Sequence, residues 1–223
     1  MSTCLLILTL DEIDGMKKIV PQINYDWVDE ILIVDGGSTD GTIEEAKKMG
    51  IRLIVQKNKG HGAAILEGIE ATKSENIILF GPDGNHYPEE IQILAKKILE
   101  GYDQVLISRF GNGSVNLDAN FIEAFGNKMF AFLVNVFFGG HWTDTLNESR
   151  VITRKAFFEL NFDAFQMAST QQMSIRGLKK RQKILELVGN EGERIGGKKK
   201  MRPLPVGFDL SSQILREFFR WKT

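Results

Sequence analysis

Ile31–Thr42 reads Ile-Leu-Ile-Val-Asp-Gly-Gly-Ser-Thr-Asp-Gly-Thr, and its reading decides the fold. Four apolar residues, three of them β-branched (Ile31, Ile33, Val34), predict a short buried strand. Asp35 ends the apolar run, and Gly36-Gly37 allow a sharp turn or a close approach of the backbone to a ligand. Ser38, Thr39 or Asp40 can cap a helix that begins near Thr42. The stretch is a strand, a turn and a helix N-terminus, with a carboxylate where the strand ends. In an open α/β sheet ligands bind at that edge. A plain capped βα turn fits the local pattern equally well.

The same alternation extends on both sides. Cys4–Leu10, Ile51–Val55, Asn76–Phe80 and Gln104–Ser108 read as strands. Helices are expected over about Gly15–Ile23, with Pro21 near its end, and over Thr42–Met49, closed by Gly50. Another runs from the Gly-rich loop Lys57–Gly62 to about Thr72, and a fourth from Pro88 to about Glu100. This spacing predicts βαβ units, so the fold class is α/β, a mostly parallel sheet with helices on both faces.

After Arg109 the regularity fades into an irregular C-terminal third. Gly111–Ser114 is a loop. Leu117–Phe138 is a long aromatic-rich helical stretch, interrupted by Glu123, Asn127 and Lys128 and so poorly suited to span a bilayer. It reads either as a buried core helix or as a surface that meets lipid or a hydrophobic acceptor. Arg150–Thr153 and Ile184–Val188 are short strands, and Arg154–Leu160 and Ser169–Leu178 helices. Gly189–Lys200 is a basic, Gly-rich loop expected to be mobile without ligand. Leu210–Trp221 is an amphipathic helix. No repeat and no linker interrupts residues 1–223, which read as a single domain.

Composition narrows the partners. The chain of 223 residues is 43% hydrophobic, enough for a sizeable core. Its net charge of −1 hides an asymmetry: from Arg150 onward there are 16 Lys and Arg against 7 Asp and Glu, and before it 12 against 22. A basic third points to an anionic partner, a phosphorylated ligand or an anionic membrane surface. Nucleic acid fits poorly, because aromatic residues do not interleave with the basic ones. The single Cys4 excludes an intramolecular disulfide and suits a reducing compartment. Met1–Leu10 lacks the basic region of a secretory leader, and Asp11-Glu12 cut its apolar run short.

Three strand ends carry polar residues: Asp11-Glu12, Asp35 and Asp83. Parallel strands place them along one edge, where carboxylates suit a divalent cation and the cation suits a diphosphate. Asp83 and Asn85 offer two oxygen ligands, although Asp-Gly-Asn alone is an ordinary turn. His61, His86 and His141 are scattered, each more in keeping with a structural or solvent-facing role than with a ligand, and one Cys builds no zinc site. Gly-x-Ser-x-Gly, the Walker loop and Gly-x-Gly-x-x-Gly at the first strand are absent.

Over almost its whole length the chain resembles glycosyltransferase family 2, and within it the dolichol-phosphate mannose synthase-like branch. Val34-Asp35-Gly36-Gly37-Ser38-Thr39-Asp40-Gly41-Thr42 is similar to the family signature Val-Asp-Asp-Gly-Ser-Thr-Asp-Gly-Thr. Leu8-Thr9-Leu10-Asp11-Glu12 lies where the family has Pro-Thr-Tyr-Asn-Glu, and Asn58–Ala64 resembles its Gly-rich loop. Ser108-Arg109 matches the Ser-Arg that ends the fifth strand. Asp144–Arg150 keeps only the ends of Asp-x-x-Ser-Gly-Phe-Arg, and Arg194–Met201 resembles the Arg-x-Gly-x-Ser-Lys-Leu loop over the donor diphosphate.

The resemblance implies a GT-A fold of the nucleotide-diphospho-sugar transferase type. Residues 1–110 would bind the nucleotide sugar and 111–223 the acceptor. It assigns nucleoside contacts to Glu12 and Asp35, beside Leu8, Leu10 and Gly37. Lys59, Gly60, Asp83, Arg194 and Lys200 complete the donor site, Asp83 and Asn85 hold Mg²⁺ or Mn²⁺, and Arg109 supports the departing diphosphate. Asp144 is the candidate general base for a hydroxyl acceptor, unless it only orients Arg150 or caps a turn.

Departures from the pattern are specific. The metal motif Asp-x-Asp reads Gly81-Pro82-Asp83, one carboxylate short; Gly36 replaces an Asp, and Leu8 and Leu10 replace Pro and Tyr. The expected activity is inverting hexosyl transfer from a GDP- or UDP-sugar to a polyprenyl phosphate or a cell-envelope glycan. The setting implied is the cytoplasmic face of a membrane, with peripheral attachment or a membrane partner subunit. The alternative is a weak or inactive nucleotide-binding subunit of the same fold; a nucleotidyltransferase ranks lower, since the first strand lacks its Gly-rich loop.

Overall fold

The computed structural model describes residues 1–196 and 203–220. Lys200, expected at the donor site, and Trp221, expected to end the last helix, lie outside the described residues. Seven strands form one sheet: β1 (Thr3–Thr9), β2 (Glu30–Asp35), β3 (Arg52–Val55), β4 (Asn76–Phe80), β5 (Gln104–Ser108), β6 (Arg150–Thr153) and β7 (Ile184–Val188). Their order is β3-β2-β1-β4-β6-β5-β7. β6 runs antiparallel to both β4 and β5, and the other pairs are parallel.

Among the described residues the α-helices are α1 (Ile13–Lys18), α2 (Thr42–Lys48), α3 (His61–Ala71), α4 (Glu89–Ile98), α5 (Phe121–Phe138), α6 (Arg154–Glu159), α7 (Ser169–Lys179) and α8 (Pro203–Phe219). The strand alternation shows why helices cover both faces. On β1, Leu5 and Ile7 join the core beneath α1 and α4, with Met16, Ile91 and Leu94. Cys4, Leu6 and Leu8 point the other way, into the core with Ile65 of α3 and Phe157 of α6. A strand buried on both faces reads as a near-continuous apolar run, and β1, buried throughout, is apolar from Cys4 to Leu8 between Thr3 and Thr9. Burial pushes the Cys4 thiol up to about 12, which leaves it inert.

A third cluster belongs to the C-terminal half: Phe130, Val134 and Phe138 of α5, Ile175 of α7, and Leu210 and Ile214 of α8. α5 opens with a capping box between Asn120 and Glu123 and closes at Gly139, whose φ is 74°. By length and composition α5 could cross a membrane, contrary to the sequence expectation, but its stripe of Asn127, Phe130, Ala131, Val134 and Phe138 is buried in the fold. α8 is tied to α7 by Glu217, which accepts from Arg176 Nε and Lys179 Nζ, each at 2.7 Å.

Two helix boundaries differ from expectation at prolines, and α5 starts at Phe121 rather than Leu117. α1 stops at Lys18, and Pro21 lies in a separate 3-10 turn, Val20–Gln22, because proline lacks the N–H that a continuing helix needs. α8 begins at Pro203 rather than near Leu210. Pro203 and Pro205 fall in its first turn, where the backbone N–H groups have no helical partner anyway.

Candidate active site

The carboxyl ends of β1, β2 and β4 open into one cleft of about 870 Å³. Its corner at β2 is built around Asp35. That carboxylate is fully buried. Oδ1 accepts from the Gly37 and Ser38 N–H groups at 2.8 and 2.7 Å. Oδ2 accepts from Thr9 Oγ1 at 2.8 Å and Ser38 Oγ at 2.6 Å. Four protein donors therefore use its acceptor directions, and Asp35 fixes the turn that shapes the corner. The groups that face the cleft there are Leu8, Leu10, Gly36 and Gln56.

Asp40 accepts from Thr42 N–H at 3.0 Å and Ile13 N–H at 3.0 Å, as a turn and cap residue does. These bonds hold its carboxyl below the usual range against the opposing effect of burial. They also join the β1–α1 and β2–α2 loops.

The 81–85 loop after β4 carries Asp83 and Asn85. α1 lies directly against it: a Cβ on Gly15 would come within 1.9 Å of the Pro82 carbonyl oxygen. Arg194 reaches over this loop from the β7 side. Its Nη1 donates to Asp83 Oδ2 at 2.6 Å, and its Nη2 donates to Glu12. The described part of the basic loop is pinned rather than loose. Ile195 N–H donates to the Asp83 carbonyl at 2.6 Å, Gly192 N–H to the Asn85 carbonyl at 3.0 Å, and Asn85 Nδ2 to the Gly192 carbonyl at 3.0 Å.

Arg109 lines the next part of the cleft. Asp144 holds it through Nε at 2.7 Å and Nη2 at 3.2 Å, and Glu191 accepts from Nη1 at 2.8 Å. Asp144 is fully buried and also accepts from Asn127 Nδ2 and the N–H groups of Leu146 and Asn147. Burial alone would raise its carboxyl, but the Arg109 charge and these hydrogen bonds hold it below the usual range. Asp144 does not line the cleft, so its geometry is that of a positioning group for Arg109. Arg150 is bound by the Asn147 carbonyl instead.

Of the donor-site candidates, Leu8, Leu10, Glu12, Gly60, Asp83, Asn85, Arg109 and Arg194 line the cleft, and Asp35, Gly37 and Lys59 do not. The sequence reading missed three lining residues. Glu148 Oε2 lies 2.5 Å from His61 Nε2, and Oε1 lies 3.9 Å from His86 Nε2. His61 Nδ1 is 2.7 Å from Ser169 Oγ. Two of the three histidines are thus brought together in the cleft rather than scattered, and His141 is exposed, as the solvent-facing alternative expects. The histidines' sequence signal was position, within the Gly-rich loop Lys57–Gly62 for His61 and just after Asp83-Gly84-Asn85 for His86.

Among the described residues no three His, Cys, Asp or Glu side chains form a ready metal cage. Asp83 and the Asn85 amide are hard oxygen donors, and such a set fits Mg²⁺ or Mn²⁺ when substrate phosphates supply further ligands. The opposite end of the cleft is apolar. Phe110, Ile122, Phe125 and Met129 line it, facing Leu204 and Phe208 of α8.

Comparison with known proteins agrees with this geometry. A sequence model described as Glycosyl transferase family 2 matches residues 17–160. Glycosyltransferase AglJ of Haloferax volcanii is 26% identical over 186 residues, 80% of this chain and 60% of that protein. A dolichyl-phosphate hexose transferase of the same organism is 26% identical over 187 residues, 84% of this chain and 80% of that protein. A crystal structure of glucosyl-3-phosphoglycerate synthase from Mycobacterium tuberculosis, in complex with Mn²⁺, UDP and phosphoglyceric acid, superposes with a TM-score of 0.81 at 18% identity. It covers 97% of this chain and 78% of that one. That likeness shows the fold, the GT-A arrangement expected from the sequence. The chain spans 60% of the length of AglJ.

Proposed function

The chain belongs to glycosyl transferase family 2, and from that premise we propose that it moves a hexose from a UDP- or GDP-sugar to a lipid phosphate, with inversion. One observation carries this reading. A single cleft joins a charged end, holding Glu12, Asp83, Arg109 and Arg194, to an apolar trough between α5 and α8. A nucleotide diphosphate matches the first end, and a polyprenyl chain matches the second. The dolichyl-phosphate acceptor named for the Haloferax relative supports the choice.

In this reading the diphosphate lies across Asp83 and Asn85, beneath the 189–196 loop. Asp83 and Asn85 would hold Mg²⁺ or Mn²⁺, which would supply Lewis acidity for the leaving group when bound. Arg194 exchanges its carboxylate partners for phosphate oxygens, and Arg109, held rigid by Asp144 and Glu191, meets the charge that develops as the diphosphate departs. An acceptor phosphate is already ionised, so attack needs no general base. This suits an Asp144 that is fully engaged elsewhere.

The exposed aromatic residues of α5 and α8 rest on the cytoplasmic face of a membrane, as a peripheral contact. The test is to incubate the protein with Mn²⁺, radiolabelled UDP- and GDP-hexoses, and undecaprenyl or dolichyl phosphate in detergent. Label passing into the organic phase from one donor is the expected result. Binding of nucleotide without transfer or donor hydrolysis would instead favour the inactive-subunit reading.

A further inference from the structure

β4 ends with one carboxylate of its own, Asp83, where a cation shared with a diphosphate is better served by two. Gly81 leaves a gap beside it. A Cβ placed on Gly81 would lie 2.2 Å from Glu148 Oε1, so the Glu148 carboxylate fills the space that a side chain at Gly81 would take. The sheet register explains the coincidence. β4 and β6 pair antiparallel with Leu79 opposite Arg150. Continuing that pairing by two residues, past the carboxyl end of β4, sets Glu148 opposite Gly81.

Glu148 also has the state and the freedom to bind a cation. Its Oε2 is held by His61, itself fixed by Ser169, while Oε1 turns toward Gly81 with His86 at 3.9 Å. Glu148, His61 and His86 all line the cleft together with Asp83 and Asn85.

We propose that Glu148 supplies, from the chain entering β6, the second carboxylate of the cation and diphosphate site, with Asp83 and Asn85 as the other protein ligands. His61 acts as a positioning residue that aims it. This assignment rests on the nucleotide-sugar reading.

Mn²⁺ binding measured by electron paramagnetic resonance with UDP or GDP present tests it, alongside calorimetry of the nucleotide with and without metal. Glu148→Gln keeps the shape and removes the charge; it should weaken Mn²⁺ binding about tenfold or more, while metal-free nucleotide binding does not weaken, because a negative charge beside the diphosphate is removed. Glu148→Gly should do the same. The exchange variant Gly81→Asp with Glu148→Gly places a carboxylate in the same space from β4 and should recover most of the Mn²⁺ affinity lost in Glu148→Gly.

Full Mn²⁺ affinity in Glu148→Gln overturns the proposal, as does an exchange variant no better than Glu148→Gly while it remains folded. Wild-type protein that binds nucleotide but no Mn²⁺ overturns it too, and leaves the donor reading intact. Absence of nucleotide and Mn²⁺ binding alike overturns both.

Discussion

At the charged end of the cleft the ionic side chains come already matched. Glu12 and Asp83 share Arg194, Asp144 and Glu191 share Arg109, and Glu148 takes His61. At the other end the side chains are large, apolar and open to solvent: Ile122 is 68% exposed, Leu204 88% and Phe208 79%. The first end is organised before any ligand arrives, and its bonds must be exchanged for bonds to substrate. The second end gains by being covered, at roughly 25 cal/mol for each Å² of apolar surface removed from water. In the proposed reaction, selectivity for head-group chemistry would therefore belong to one end and grip to the other.

The sharpest way to break the contrast is Asp144→Ala, which strands the buried Arg109 guanidinium beside Glu191 alone. Loss of one partner from a buried pair costs about 3–5 kcal/mol, so the urea midpoint should fall steeply. Arg194→Met acts on chemistry instead. Transfer in the radiolabel assay should slow about 10²- to 10³-fold, because a cation that meets the departing diphosphate is lost. Gly15→Ala forces α1 off the Pro82 carbonyl and should cost about 1–3 kcal/mol in urea unfolding.

Acid offers a gentler probe of the matched end. Asp144 and Glu148 are both held below the usual carboxylate range. For each, burial opposes the shift, and the Arg109 charge for Asp144 and the His61 hydrogen bond for Glu148 outweigh it. A carboxyl lowered in the folded state adds stability above its unfolded pKa, and that stability is lost as pH falls through the folded value. Urea stability should therefore hold down to about pH 5 and decline below about pH 4.

The smallest effect on folding is expected at the apolar end. Phe125→Ser and Phe208→Ser should each change stability by no more than about 0.5 kcal/mol, since both rings are exposed. The same pair should abolish sedimentation with anionic liposomes at low salt. Retained sedimentation would sever the apolar end from membranes and weaken the lipid-acceptor reading.

The βα half was legible because its strands announce themselves as short apolar runs ended by polar residues or Gly. Asn76–Phe80 and Gln104–Ser108 appear with the expected bounds. Asp35 shows the limit of local reading. Its position at a strand end marks the site, but its four internal hydrogen bonds depend on Thr9 and Ser38, whose placement the pattern does not state. Glu148 was illegible for a related reason. Nothing near it in the chain connects it to Gly81, and only the β4–β6 pairing does. The early part of α8 was not read from the sequence; it holds Pro203 and Pro205, which the first helical turn tolerates.

The reversed course of β6 has a consequence for how this site can change. A parallel strand delivers only the residues that follow it to the working edge of the sheet. β6 runs the other way, so the residues that precede it, Asp144 to Ser149, arrive at that edge from a distant part of the chain. Two segments with independent sequences therefore write to the same few cubic ångströms. A charge erased from one can be restored from the other with no backbone displaced. Motifs read along a single strand will undercount such sites, because the functional unit is a pair of facing positions.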